Sequence, residues 1–426
     1  MKNKLDAVII AGGLGTRLKQ IQSIPKLLTR FGKKTNLEII TNNLNKHKII
    51  NKHLLCGKDK DKIAKYLKEK KNYFLYEEKK LLGTAGCLTR LKYEKLSKNL
   101  LVIYGDLLFN IDIKRFYKFH LKKKSDLTIL SHPSDHLFDS DIIQTDKTNS
   151  VNKVHLKPHD KKLLSNNNTM AGIFIIKKKL IKNIPINKKY DFSKNFLKFL
   201  NKKKKYKLFS YNTREYCKDY GTPKRLIKVR KDYNNSKHNY LYYKKKIPAV
   251  FLDRDGVLNK DKGPFKYSNP TNFFKNTLKA LLKLRRSKYL IIQITNQSGV
   301  AKGIITLNEL ENSIKKYEMF LSKKGFYFDK IYFCPHHPLK GFKGENKKFK
   351  IKCSCRKPKP GLIYKAKKEF NIELKKSFFV GDNITDHKAA FNAGVKSILL
   401  NKDFAQTCNC LYKKDILSAT NYILKQ

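Results

Sequence analysis

A chain of 426 residues, 40% of them apolar, is too long for one ordinary core and points to two or three domains. No apolar run approaches the roughly 18–20 residues of a membrane helix, and eight cysteines in so long a chain exclude a disulfide scaffold. The formal net charge of +61, from 95 basic and 34 acidic residues, should attract polyanions non-specifically. The lysines are nevertheless spread over the whole chain, alongside abundant Asn, Ile, Tyr and Phe. That is compositional drift, not a binding arm, so no specific nucleic-acid or membrane partner is expected. Met1–Leu14 has lysines before an apolar stretch, but Asp6 interrupts it and the glycines make a poor cleavage site. A cytoplasmic protein is expected.

The first predicted strand, AVII at 7–10, runs straight into Gly12, Gly13, Gly15 and Thr16. Glycines after a buried strand let backbone N–H groups approach a phosphate or base closely. Arg17 and, after Pro25, Lys26 supply fixed cations for a triphosphate. Strand-like runs follow at 52–57, 99–106, 126–132 and 172–177, separated by lysine-rich helical stretches. Such alternation implies α/β architecture with parallel strands and helices on both faces. Cys56, Cys87 and Cys217 stand alone and read as small buried apolar residues. The His- and Asp-rich stretch HPSDHLFDSDII at 132–143 is expected to serve turns and Asx caps.

Taken in order, these pieces resemble the sugar-1-phosphate nucleotidylyltransferases over about residues 5–230. AGGLGTRL with Pro25-Lys26 matches that family's signature, and Gly83-Thr84-Ala85-Gly86 its loop beside the nucleotide base. VIYGDLLFNID at 102–112 resembles its strand ending in Gly-Asp, HLKP at 155–158 its Lys-Pro, and YCKDYGTPKRL at 216–226 its Asp-x-Gly-Thr. The resemblance implies a GT-A-like mixed sheet, Mg²⁺ on Asp106 and Asp219, and a sugar phosphate on Lys157. Two positions depart from the family: Leu27-Leu28 follows Lys26 where a second proline is usual, and Met170 replaces asparagine.

The polar, weakly patterned stretch at 232–246 marks the break, giving a domain over 1–235, a linker over 236–246 and a second domain over 247–426. The second domain opens with AVFLDRDGVLN, which puts Asp253 and Asp255 just past a strand end. Two such carboxylates suit a nucleophile and a general acid/base. Further strand ends carry Thr295 and Asn296 in IQITNQSG, and Asp382 and Asp386 in FFVGDNITD, while CRKPKPG supplies Arg356 and Lys357. In a parallel sheet these ends converge on one edge, where open α/β folds place their sites.

This set resembles the haloacid dehalogenase (HAD)-like phosphatases. More narrowly, over about 247–401, it resembles the D-glycero-D-manno-heptose 1,7-bisphosphate 7-phosphatases. The resemblance implies Asp253 as nucleophile and Asp255 as acid/base. It also implies Mg²⁺ on Asp253, Asp382 and the Asp255 carbonyl, with Thr295 and Lys357 receiving the phosphoryl group. Asn383 stands where a lysine often follows the Gly-Asp. The histidinol phosphatases share the metal cluster but usually carry Asp-Gly where this chain has Ser298-Gly299, which favours the heptose reading.

Cys334-x-His336 and Cys353-x-Cys355 offer three thiolates and one imidazole, a donor set for a closed structural Zn²⁺ site. The loop between them has too few apolar residues to hold itself, and its last ligand directly precedes Arg356 and Lys357. The expected fold is therefore two Rossmann-like α/β domains, the second a HAD-like parallel sheet with a zinc-bound loop. The expected function is bifunctional: a phosphatase acting on heptose 1,7-bisphosphate and a transferase joining the heptose 1-phosphate to a nucleotide, with GTP the leading NTP. The alternatives are a hexose nucleotidyltransferase fused to another sugar phosphatase, and a polyanion-binding protein on a decayed enzyme fold. The full acidic set speaks against the last.

Overall fold

The computed structural model describes residues 5–13, 16–18, 24–68, 70–160, 163–260 and 272–426. Two compact units divide near Tyr242 and Tyr243, and the segments Pro133–Leu137 and Asp160–Asn167 group with the second unit. Residues 236–246 include a helical turn, Lys237–Tyr240, inside the first unit. The His238 ring stacks on Tyr233, which anchors that turn.

In the first unit the strands are β1 (Leu5–Ala11), β2 (Arg30–Phe31), β3 (Lys34–Thr35), β4 (Lys52–Cys56), β5 (Tyr73–Glu77), β6 (Asn99–Tyr104), β7 (Leu107–Asn110), β8 (Leu127–His132), β9 (Ile142–Thr145), β10 (Val151–His155), β11 (Thr169–Lys177), β12 (Leu208–Asn212) and β13 (Tyr216–Asp219). Strands β5, β4, β1 and β6 are parallel neighbours, and β11 then runs antiparallel to β6. The sheet is mixed, as the resemblance implied, and not purely parallel as the strand–helix alternation alone suggested. β1 is buried on both faces. Ala7 and Ile9 join a core with Leu37, Ile40 and Leu44 of helix α1 (Asn36–Lys46), while Val8 joins the core on the opposite face. Continuous apolar runs are what a doubly covered strand requires. The single cysteines Cys56, Cys87 and Cys217 are buried apolar residues, as expected. A separate antiparallel pair, β7 with β13, sets Asp219 opposite Leu107.

The second unit is an all-parallel sheet of β14 (Ala249–Leu252), β15 (Leu290–Asn296), β16 (Lys330–Cys334), β17 (Phe378–Gly381), β18 (Lys396–Leu399) and β19 (Leu411–Tyr412). Its order is β16-β15-β14-β17-β18-β19. The chain direction across the sheet reverses between β14 and β17, and such a switch point opens a crevice at the strands' carboxyl ends. Asp253 follows β14 and Asp382 follows β17. No helix among the described residues is long and apolar enough to cross a membrane.

Candidate active sites

In the first unit, β1 delivers Gly12 and Gly13 to the carboxyl edge of the sheet. A Cβ on Gly12 would overlap the Glu78 carboxylate, so any larger residue there would require Glu78 to move. Glu78 is 6% exposed, and one of its oxygens accepts the Leu82 N–H at 2.5 Å. Burial raises its carboxyl above the usual range. Sequence reasoning missed this residue, because its place depends on a fold contact with Gly12.

Lys26 Nζ lies 3.0 Å from Asp106 Oδ2. Gly221 faces the same spot: a Cβ there would lie 3.1 Å from Asp106 Oδ2, 3.5 Å from Lys26 Nζ and 3.6 Å from Arg17 Nη2. Arg17, Lys26 and Asp106 therefore converge. The buried Tyr220 hydroxyl donates to the carbonyls of Lys26 at 2.8 Å and Gly105 at 3.2 Å, tying the two strand-end loops together. The Tyr220 N–H donates to the Asp106 carbonyl, which brings Asp219 alongside. Arg225 Nη1 holds Asp219 Oδ1 at 2.6 Å, an ion pair that a cation on Asp219 would have to share.

Gly13, Lys26, Thr84 and Asp106 line one cavity of about 250 Å³, together with Lys58 and Lys62, which the motifs did not single out. The Thr84 hydroxyl is occupied, donating to Asp191 and accepting from the Phe192 N–H. Gly83 takes a positive φ of 80°, and the Ala85 and Gly86 amides donate to the Tyr190 carbonyl. Lys157 is not brought into that lining; its ammonium donates to the Asp139 carbonyl at 2.8 Å. Gly15 and the Thr16 side chain lie outside the described residues.

In the second unit, carboxylate oxygens of Asp253, Asp382 and Asp386 lie within 4.8 Å of one another. Between them sits Lys357, whose Nζ is 2.8 Å from Asp253 Oδ2 and 2.5 Å from Asp386 Oδ1. Burial raises the Asp253 carboxyl to about 7 against the pull of Lys357, and raises Asp382 to about 6 with help from Asp386. Burial opposes the Lys357 ammonium, yet the two aspartates beside it raise its pKa overall. Asn296 fixes the backbone of Lys357 by a reciprocal pair, accepting its N–H at 3.1 Å and donating to its carbonyl at 3.2 Å. Asp386 caps its own helix, Ile384–Asn392, and accepts the Asp382 N–H at 3.2 Å.

Asp255 has a different setting. Arg254 donates to its Oδ1 through Nε at 2.9 Å and Nη2 at 2.6 Å, and Asn259 donates at 3.1 Å. Gln297 Nε2 bridges Asp255 Oδ2 at 3.3 Å and Thr295 Oγ1 at 3.0 Å, a link the motif reading did not foresee. Gly256 allows the loop to pass Asp382, whose carboxylate would overlap a Cβ there.

The four Cys and His donors gather in the same unit. Cys334 Sγ is 3.6 Å from Cys353 and 3.2 Å from Cys355, and His336 Nδ1 is 3.2 Å from Cys355 Sγ. His337 lies outside the cluster, its Nδ1 on the Leu339 carbonyl. Arg356 Nη1 donates to the His336 carbonyl at 3.2 Å, linking the cluster to the residue before Lys357.

The sequence model of the nucleotidyl transferase family matches residues 6–236, more than half of the chain, and a HAD-hydrolase-like model matches 354–420. Over 154 residues the chain is 36% identical to the D-glycero-beta-D-manno-heptose-1,7-bisphosphate 7-phosphatase of Photorhabdus laumondii, spanning 36% of this chain and 80% of that protein. Among solved structures, HddC from Yersinia pseudotuberculosis is 26% identical with a TM-score of 0.46, over 54% of this chain and 99% of HddC. The D,D-heptose 1.7-bisphosphate phosphatase from B. bronchiseptica, solved with magnesium and phosphate, is 27% identical with a TM-score of 0.36, over 42% of this chain and 99% of that one. The chain belongs to the nucleotidyl transferase family through its N-terminal half and to the heptose-1,7-bisphosphate 7-phosphatase family through its C-terminal half.

Proposed function

We infer that the two halves catalyse consecutive steps of activated-heptose synthesis. The second unit removes the 7-phosphate of D-glycero-D-manno-heptose 1,7-bisphosphate. The first then transfers a nucleotidyl group from an NTP to the heptose 1-phosphate, releasing pyrophosphate. The observation that carries the phosphatase half is Asp253: its Oδ2 is balanced by Lys357, while its buried Oδ1 has no hydrogen-bond partner among the described residues. One oxygen is thus held and the other is left to meet phosphorus.

In this reading Asp253 Oδ1 attacks the 7-phosphorus and the P–O bond to the sugar breaks. The departing sugar oxygen takes a proton from Asp255, leaving an aspartyl phosphate. Asp255 then takes a proton from water, which attacks phosphorus, releases inorganic phosphate and restores the Asp253 carboxylate. Gln297 holds Asp255 and Thr295 in fixed relation, and Thr295 and Lys357 face the phosphoryl oxygens. All-oxygen donors suit Mg²⁺, which Asp253, Asp382 and the Asp255 carbonyl would hold to neutralise phosphoryl charge. The convergence of the Asp253, Asp382 and Asp386 carboxylate oxygens within 4.8 Å of one another supports that fit.

At the transferase site an oxygen of the 1-phosphate attacks the α-phosphorus and pyrophosphate leaves. Arg17 and Lys26 clamp the triphosphate, and Asp106 with Asp219 would hold Mg²⁺. Lys157 would aim the sugar phosphate once released from Asp139. GTP is the leading donor in this reading. The Cys334, His336, Cys353 and Cys355 set fits Zn²⁺, since its S and N atoms already lie at the spacing of a tetrahedral shell.

Incubating the full chain with heptose 1,7-bisphosphate, Mg²⁺ and each NTP in turn tests the reading. Phosphate release with every NTP and pyrophosphate release with GTP are expected. Phosphate without pyrophosphate for any NTP would overturn the bifunctional reading.

A further inference from the structure

The first unit has a second cavity, of about 680 Å³, that shares no residue with the one beside Gly13. Lys34, Thr41, Lys52, Lys70, Lys71 and Tyr73 line it, with one face of α1. Lys52 and Tyr73 begin β4 and β5, so it lies at the amino end of strands whose carboxyl ends face the glycine-rich loop.

Lys52 sets its chemistry. The residue is 4% exposed, and among the described residues its ammonium makes one hydrogen bond, to the Ile50 carbonyl at 2.8 Å, with the Tyr73 ring 5.3 Å away. An ammonium has three donors, and no carboxylate pairs with this one among the described residues. Burying a cation without an anion costs several kcal/mol, and burial accordingly lowers its pKa.

Glu38 is the acidic lining residue, but its Oε2 is engaged by the Thr35 N–H at 2.7 Å and the Thr35 hydroxyl at 3.0 Å, as the cap of α1. The rest of the wall is mixed: Leu37 and Ile50, the amides of Asn42 and Asn45, and the Thr41 and Tyr73 hydroxyls, which hydrogen-bond to each other at 2.9 Å. A buried cation with spare donors, on a wall that also carries Lys34, Lys70 and Lys71, is matched by an anion rich in acceptor oxygens. A bare inorganic ion would fill little of such a volume, so the anion is carried on a larger body. We propose that this cavity binds a small phosphate-bearing molecule, its phosphate on Lys52 and its body along Tyr73 and α1.

Crystals of the full chain soaked in tungstate test the position. A tungsten anomalous peak beside Lys52 Nζ is expected, with peaks near Lys26 and Lys357 as internal controls. Peaks at the controls alone would overturn the proposal. Calorimetric titration of wild type and Lys52→Met with ribose 5-phosphate and with GMP then distinguishes a sugar phosphate from a nucleotide. The occupant's class binds this site about tenfold or more weakly in the variant, and equal binding of both probes to both proteins overturns the proposal. Without ligand, Lys52→Met should melt higher than wild type, because a buried unpaired charge is gone. A lower melting point would mean that the ammonium serves structure alone, which also overturns it.

Discussion

Replacing Lys357 by methionine removes the cation that, among the described residues, pairs with the converging carboxylates, while keeping most of the side chain's volume. Lys357 and Asp386 are almost fully buried, with side chains 3% and 1% exposed, and Asp253 is 13% exposed. At the observed 2.8 Å, one unit-charge pair in an effective dielectric of 20 is worth about 6 kcal/mol. The desolvation of the ions offsets much of that attraction, and breaking a buried pair from one side typically costs about 3–5 kcal/mol. For a unit of this size that corresponds to a fall of roughly 6–20 °C in the melting midpoint. Scanning calorimetry of the full chain reads this directly. Added Mg²⁺ should restore more stability to Lys357→Met than to wild type, because the stranded carboxylates gain a cation. A variant that melts with wild type in metal-free buffer would refute the charge balance described here. Phosphate release should fall by orders of magnitude, with pyrophosphate release from heptose 1-phosphate unchanged.

His120 is 1% exposed, and burial, assisted by Lys177, holds its imidazole down to about 4. Between pH 6.5 and 4 the unfolded chain therefore binds the extra proton, so acid costs the first unit about 3 kcal/mol. His120→Gln should flatten that part of the stability–pH curve, and an unchanged slope would contradict it. Gln293 is fully buried, with neither end of its amide partnered among the described residues, so Gln293→Leu should stabilise the second unit by about 1 kcal/mol, read as a higher denaturant midpoint, and a lower midpoint would contradict this. Cys353→Ser should lose bound zinc and slow phosphate release; intact metal content and activity would exclude the zinc assignment.

Much of this architecture was legible in the sequence because each strand is a continuous apolar run ending in a polar motif. AVFL before Asp253 and FFVG before Asp382 pack as neighbouring buried strands, which brings the two carboxylates together. What escaped were residues whose meaning lies in contacts across the fold. Glu78 packs against Gly12 because β5 ends beside the loop that follows β1, and nothing in its own neighbourhood says so. Gln297 follows the Thr-Asn motif and reads as a polar loop residue until its amide is seen between Thr295 and Asp255. Lys157 shows the converse: its motif is present, yet its ammonium rests on Asp139. The direction of β11 was equally hidden, since an apolar strand carries no mark of its orientation once both faces are buried.

The central claim is that the second unit supplies the substrate of the first. The most direct measurement is pyrophosphate release from GTP by the full-length Asp253→Asn variant, offered heptose 1,7-bisphosphate in one arm and heptose 1-phosphate in the other. The account predicts pyrophosphate from the 1-phosphate alone, with wild type releasing it from both sugars and, from the bisphosphate, only after phosphate appears. Equal pyrophosphate release by Asp253→Asn from the two sugars would contradict it.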